Sequence, residues 1–114
     1  MPAIEIHVLP EVEDFLYCLS DVLVIDGYKP SYESAEHVVD DIVDFITQLS
    51  SVPHYKVSPS VEYHFAKYGE NLQYAFFKRK SSPKTTWYIF FVELKNRILV
   101  KHITNNWIEG QYIR

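Results

Sequence analysis

The chain has a single cysteine, Cys18, in 114 residues. That excludes an internal disulfide framework and any site needing paired thiolates. Cys18 stands inside an apolar helical pattern, where it is expected to be a small buried hydrophobe. No run of 18 or more apolar residues occurs, so no membrane-spanning helix is predicted. The opening MPAIEIHVLPEVED has neither a charged leader nor an apolar segment ending in small residues, so no signal peptide is expected and a cytoplasmic location is. Basic residues are scarce at first: in positions 1–70, Lys29, Lys56 and Lys67 stand against thirteen Asp and Glu. In positions 71–114 the balance reverses, with eight Lys and Arg against Glu93 and Glu109. The net charge of −4 therefore hides an acidic first part and a basic second part. Such a split fits a surface that meets a polyanion or an acidic partner, although solvated surface charge also produces it.

What is present is enough for one core. An apolar content of 47% over this length matches a single domain spanning 1–114. AIEIHVL alternates Ile4, Ile6 and Val8 with Glu5 and His7, the period of a half-buried strand, and Pro10 ends it. From Glu11, residues Val12, Phe15, Leu16, Leu19 and Leu23 recur at helical spacing, with acids in the first turn and Gly27 past the end. In the next block Ser31 is a candidate N-cap, and Ala35, Val38, Val39, Ile42, Ile46 and Leu49 form one stripe. The acids on its other face, Glu36, Asp40, Asp41 and Asp44, read as a solvated ridge rather than a metal site, and no metal or cofactor is expected. Residues 50–70 read either as a short capped helix or as irregular chain.

The remainder is strand-like. NLQYAFFKRK, TWYIFFVEL and RILVKHIT form three consecutive antiparallel strands, joined by SSPK as a turn and KN as a tight hairpin. The order strand, helix, helix, strand, strand, strand predicts an α+β sandwich with the helices packed on one face of the sheet. Its other face is then uncovered, and period-two alternation lets Arg97, Lys101 and His102 face outward. A two-residue turn at Lys95 and Asn96 pairs Leu94 with Arg97, Phe90 with Lys101 and Ile89 with His102, setting Lys101 and His102 on opposite faces; a one-residue slip changes these partners.

The element order, the helical hairpin and above all the hairpin WYIFFVELKNRILVKHI ending in TNN resemble the RelE/ParE toxin superfamily of bacterial type II toxin–antitoxin and plasmid stabilization systems, and YGENLQYAFFKR, TTWYIFF and ITNNWIEGQYI resemble a branch common in Bacteroidetes. The likeness is strongest over residues 68–113 and only topological before residue 50. It implies a RelE/ParE-like fold and a cognate antitoxin as partner. It also implies one of three roles: a ribosome-dependent messenger RNA endonuclease, an inhibitor of gyrase, or an interaction domain without known target. As a nuclease the chain would use no metal. The 2′-hydroxyl attacks its own phosphate, which calls for a proton acceptor, a proton donor and cations on the phosphorane. By resemblance Lys78 and Lys80 match the basic end of the strand before the long hairpin, and Tyr112 is similar to a C-terminal Tyr. Trp87 and Tyr88 stand where many such toxins carry a Tyr-Arg pair, and NNWIEG stands where another Arg is expected.

His102 and Tyr112 are thus the candidate catalytic residues, His102 for its intrinsic pKa. Lys78, Arg79, Lys80, Arg97, Lys101, Asn105 and Asn106 are the candidate RNA- or partner-binding residues. Each has a plainer reading beside it. Lys78, Arg79 and Lys80 suit a solvated edge that resists aggregation, and His102 a hydrogen-bonded strand residue. The two asparagines suit a strand terminus, where they satisfy backbone groups. Tyr112 suits a tail pinned to the sheet, and Trp87, Tyr88, Phe90 and Phe91 suit core, with base stacking the alternative.

Overall fold

The computed structural model describes residues 4–113, and of 110–113 the backbone alone. Strand β1 (Glu5–Val8) leads at Pro10 into α1 (Pro10–Ile25), with Glu11 and Glu13 in its first turn. Pro10 costs the helix nothing there, because a first-turn N–H has no intrahelical acceptor. Helix α2 (Tyr32–Thr47) is capped by Ser31, whose Oγ accepts from Ser34 N at 3.2 Å. A 3-10 turn, Leu49–Ser51, leads to the two-residue β2 (Tyr55–Lys56). Then come α3 (Pro59–His64), with Ser58 as its cap, and a 3-10 turn at Ala66–Tyr68. The chain finishes with β3 (Gln73–Arg79), β4 (Ser82–Leu94), β5 (Arg97–Asn105) and α4 (Asn106–Ile113).

The fold is α+β, with a five-stranded mixed sheet of order β1-β5-β4-β3-β2. β1 runs parallel to β5, and the other neighbours are antiparallel. Odd-numbered residues of β4 (Trp87, Ile89, Phe91) face α1 and α2 and join Ala35, Val38, Ile42, Val100 and Ile103 in the main core. Phe45 stacks on Phe77 at 4.6 Å and clamps α2 to β3. This is the helix face.

The expectation that helices pack on one face only is corrected. Phe90, Val61, Phe65 and Leu72 form a second buried cluster on the opposite face. Residues 57–68 supply this cover, because α3 and the 3-10 turn after it place Val61 and Phe65 directly on Phe90. The lid is small: it covers the middle of the opposite face and leaves Tyr74, Phe76 and Tyr88 beside it.

Three local expectations also change. Cys18 is exposed, since it lies off the stripe of Val12, Leu19 and Leu23 that faces the core. The β3–β4 turn is Lys80 and Ser81, not SSPK: Arg79 pairs with Ser82, and an irregularity follows where Pro83 cannot donate to the ladder. In the β4–β5 hairpin, Leu94 does pair with Arg97 around Lys95–Asn96, with Asn96 in the left-handed region at φ 60°. Beyond that, Phe91 pairs with Val100 while Phe90 pairs with His102, so Lys101 is the extra residue of a β-bulge. The bulge breaks the alternation on which the opposite-face placement of Lys101 and His102 depended.

Candidate functional site

The bulge lies where β1 gives out. β1 pairs with Arg97 to Val100 only, and Leu9 N closes the ladder on the Val100 carbonyl at 3.2 Å, so the outer edge of β5 from Lys101 onward has no strand beside it. A hollow of about 290 Å³ occupies that edge, walled by Glu11 and Phe15 of α1, Tyr68, Ile108 of α4, and Lys101 and His102. The Lys101 ammonium reaches over Gly69, 3.9 Å from where a β-carbon would stand. Gly69 has φ of 113°, a backbone region closed to most side chains, so glycine is required for the turn that brings Tyr68 alongside. Lys101 makes no ion pair with any described residue.

His102 is held on two sides. Its ring stacks on Tyr68 at 4.5 Å and 15°, and its Nε2 lies 2.6 Å from Glu109 Oε1. With Nε2–H donating to the carboxylate, the lone pair of a neutral imidazole sits on Nδ1. His64 Nε2, from α3, lies 3.5 Å from the other Glu109 oxygen, so one carboxylate joins α3, α4 and β5. Burial pushes the Glu109 carboxyl up, but the hydrogen bond and charge of His102, helped by Thr104 and His64, outweigh it and hold the carboxyl below its ordinary value. Thr104 is 1% exposed, and its buried hydroxyl has no hydrogen bond of normal geometry; it favours the Glu109 charge from nearby. The result is an oriented imidazole, a fixed carboxylate behind it and a free ammonium beside it. These are the parts of a general acid–base site with a cation for a developing anion.

The other predicted residues are distributed around the sheet. Arg79 turns to the helix face and binds Asp41 through Nε at 2.6 Å. Arg97 is at the far hairpin end, 3.6 Å from Glu5 on β1. Glu5 is held below its ordinary pKa by its hydrogen bond to His7 and by the charge of Arg97. Lys78 stands exposed opposite Thr86, and Lys80 is in the turn. Asn105 caps α4, its Oδ1 accepting from Trp107 N at 2.9 Å and Ile108 N at 3.0 Å. Asn106 ties α4 to β4, accepting from Thr86 N at 2.7 Å and donating to the Lys84 carbonyl at 3.0 Å. Both side-chain oxygens are thus spent on backbone N–H groups. The Tyr112 side chain lies outside the described residues, and its backbone belongs to α4. Arg79 and Asn105 wall a second cleft of about 320 Å³ between α1 and α4, with Trp107 and Ile108 on its rim.

Of the nine candidates, then, Lys101 and His102 meet in one hollow and the others with described side chains do not. Glu109, Tyr68 and Thr104 complete that hollow, with His64 bound to Glu109 from α3, and none of the four was among the candidates. Glu109 becomes visible only once Asn105 is read as a cap: an N-cap asparagine ahead of WIEG starts a helix and puts Glu109 in its early turns. Nothing in the sequence pairs Tyr68 with His102, since that contact depends on the lid.

Comparison with known proteins finds no protein-family model, no curated protein and no solved structure that matches this chain.

Proposed function

We propose that this chain is the toxin-like component of a bacterial type II toxin–antitoxin system, a RelE/ParE-like protein that acts in the cytoplasm as a metal-independent endonuclease on messenger RNA at the ribosome. The observation that carries the reading is the free Lys101 ammonium beside an imidazole oriented by Glu109, at an open hollow on the sheet edge. In the reaction, His102 Nδ1 takes the proton of a ribose 2′-hydroxyl, and that oxygen bonds to the adjacent phosphorus. The bond from phosphorus to the 5′-oxygen breaks, leaving a 2′,3′-cyclic phosphate and a 5′-hydroxyl. Lys101 faces the charge that grows on the phosphoryl oxygens, and Glu109 stabilises the imidazolium as it forms. Tyr112 is the proton donor to the leaving oxygen in this scheme. The antitoxin covers the apolar rim of the cleft between α1 and α4, where Trp107 is 63% and Ile108 60% exposed.

A second reading is favoured by one observation. Arg79 and Arg97, the arginines among the described residues, are both ion-paired away from the hollow, so neither offers a guanidinium fork there for a phosphate. On this reading the same fold acts without chemistry, as a gyrase-type inhibitor or an interaction domain. Induced expression in a bacterial host separates the readings. Growth arrest with cut messenger RNA, both lost in His102→Ala, is the expected result. Arrest with intact RNA supports the second reading, and unimpaired growth overturns the toxin proposal.

A further inference from the structure

The part of the opposite face that the lid leaves open is paved with rings. Tyr55 of β2 stacks on Tyr74 of β3 at 5.5 Å and lies 5.3 Å from Phe76. Phe76 pairs across the strands with Tyr88, their rings 6.1 Å apart, and Tyr74 is 6.1 Å from Tyr88. Tyr55 is 41% and Phe76 42% exposed, so these rings are presented to solvent rather than spent on the core. Below them Tyr74 rests on buried Phe90 at 5.7 Å, which fixes the platform to the sheet. Burial, with Tyr88 and Tyr55 beside it, holds the Tyr74 phenol above its ordinary pKa, so it remains a neutral hydrogen-bond donor.

The charge on the strands that carry the rings is mostly of one sign. β3 and β5 contain no carboxylate, and the one acid of β4, Glu93, binds His54, whose ring packs on Phe91 of the helix face. Lys78 is the next residue after Phe76 on the same side of β3, with Lys80 and Lys84 exposed in the adjoining turn and strand. None of the three makes an ion pair with a described residue. Glu62 of α3 shares a shallow hollow with Lys56 at the margin, which leaves Lys78 as the cation that serves the rings. In a chain of net charge −4, a strand face of aromatics and unpaired lysines is a local reversal. A protein interface would also recruit Tyr and Phe, but interface cores are depleted in Lys, and here an unpaired lysine stands beside the rings. Exposed π-faces bordered by ammonium groups favour unpaired bases and their phosphates.

We propose that Tyr55, Tyr74, Phe76 and Tyr88 form a stacking platform for single-stranded nucleic acid, with Lys78 on its backbone. This goes beyond the cleavage reading: the platform is separated from His102 by the buried Phe65–Phe90 contact, and binding there requires neither chemistry nor a ribosome. Rings of this kind accept any base, so the selectivity is for unpaired strands over duplex rather than for sequence.

The test is fluorescence anisotropy of the full chain with labelled RNA and DNA single strands of about ten nucleotides, against duplex RNA of the same sequence. Single strands are expected to bind more tightly than duplex, and the two sugars show whether the 2′-hydroxyl is read. Phe76→Ala and Tyr55→Ala, both at exposed positions, are expected each to weaken binding about five- to 150-fold with unchanged circular dichroism. Lys78→Ala is expected to reduce the salt slope by about one. His102→Ala is expected to keep full affinity for the DNA single strand, which has no 2′-hydroxyl for His102, so loss of cleavage and loss of this site are distinguishable. Equal affinity for duplex, no binding of either single strand, or indifference to both ring substitutions in folded variants overturns the proposal. So does a protein partner that needs Phe76 while single strands do not bind.

Discussion

The two faces of the sheet are built from neighbouring residues of the same strands, yet they are different materials. Toward α1 and α2, Ile89, Phe91, Val100 and Ile103 meet Leu19, Val38 and Ile42 in one continuous apolar core. On the other side only Val61, Phe65, Leu72 and Phe90 are buried together; around them stand tyrosines, histidines, a carboxylate and unpaired lysines. Burial of ionisable groups is costly, and a small domain has about 5–15 kcal/mol of net stability to lose. Concentrating the stabilising burial on one face lets the other hold groups that would not be tolerated in a core. Strand alternation makes this division possible, because each face can be specified without altering the other.

The largest effect expected from this division is a contrast between two phenylalanines, both essentially inaccessible. Phe91→Ala opens the main core and is expected to cost about 3–5 kcal/mol in urea unfolding. Phe65→Ala removes the ring that seats the lid. It is expected to cost about 3 kcal/mol or less, because the short segment 57–68 can collapse or detach while the helix face stays packed. Amide exchange should then accelerate in α3 and the turn after it and remain slow in β4. Equal losses, with β4 opening in both variants, would mean that the two faces fold as one unit.

How far the sequence reveals this arrangement depends on whether local patterning or long-range contact decides a feature. The stripes of α1 and α2, the Ser31 cap, the Lys95–Asn96 hairpin and the burial of Trp87, Phe90 and Phe91 follow from periodicity and turn chemistry, and the α+β class follows from them. The lid is different. Its segment is broken by Pro53, Pro59 and Gly69, and only Val61 and Phe65 make it a cover, which no periodicity over so few residues can announce. The bulge at Lys101 is invisible for a related reason: RILVKHI alternates acceptably in either register, and the choice is made by packing Val100 against the helices and His102 against Tyr68. His102 and Lys101 were therefore identifiable as residue types, while Glu109, Tyr68 and His64 came from elements whose docking is a tertiary result.

A middle-sized effect tests the titratable side. Glu109→Gln keeps the shape but removes the charge that holds His102 and His64, and is expected to cost about 1–3 kcal/mol at neutral pH. The Glu109 carboxyl is held below its ordinary value in the folded chain, so its contribution is complete above the unfolded carboxylate pKa, about 4.3. It is lost as pH falls through the depressed folded value. The difference in urea midpoint between wild type and Glu109→Gln should therefore shrink in acid, as pH falls below the unfolded carboxylate value. A gap that persists when the carboxyl is protonated would show that the amide disturbs packing, and that charge is not what fastens α4 to β5.

The smallest effect is the sharpest on whether the lid is an independent unit. Ser31 and Ser58 are both N-cap serines, accepting from Ser34 N at 3.2 Å and Val61 N at 3.4 Å. Ser31→Ala is expected to cost about 1 kcal/mol in global unfolding, since α2 is welded to the main core. Ser58→Ala is expected to cost about 0.5 kcal/mol or less globally, because its bond is longer and α3 has only six residues. Its effect should appear instead as faster exchange of α3 amides and weaker protection of His102, which the lid covers through Tyr68. If Ser58→Ala instead lowers the global midpoint as much as Ser31→Ala, the lid must be cooperative with the sheet. In that case the Tyr68–His102 stack would open only when the whole domain unfolds, rather than by local opening of a thin cover.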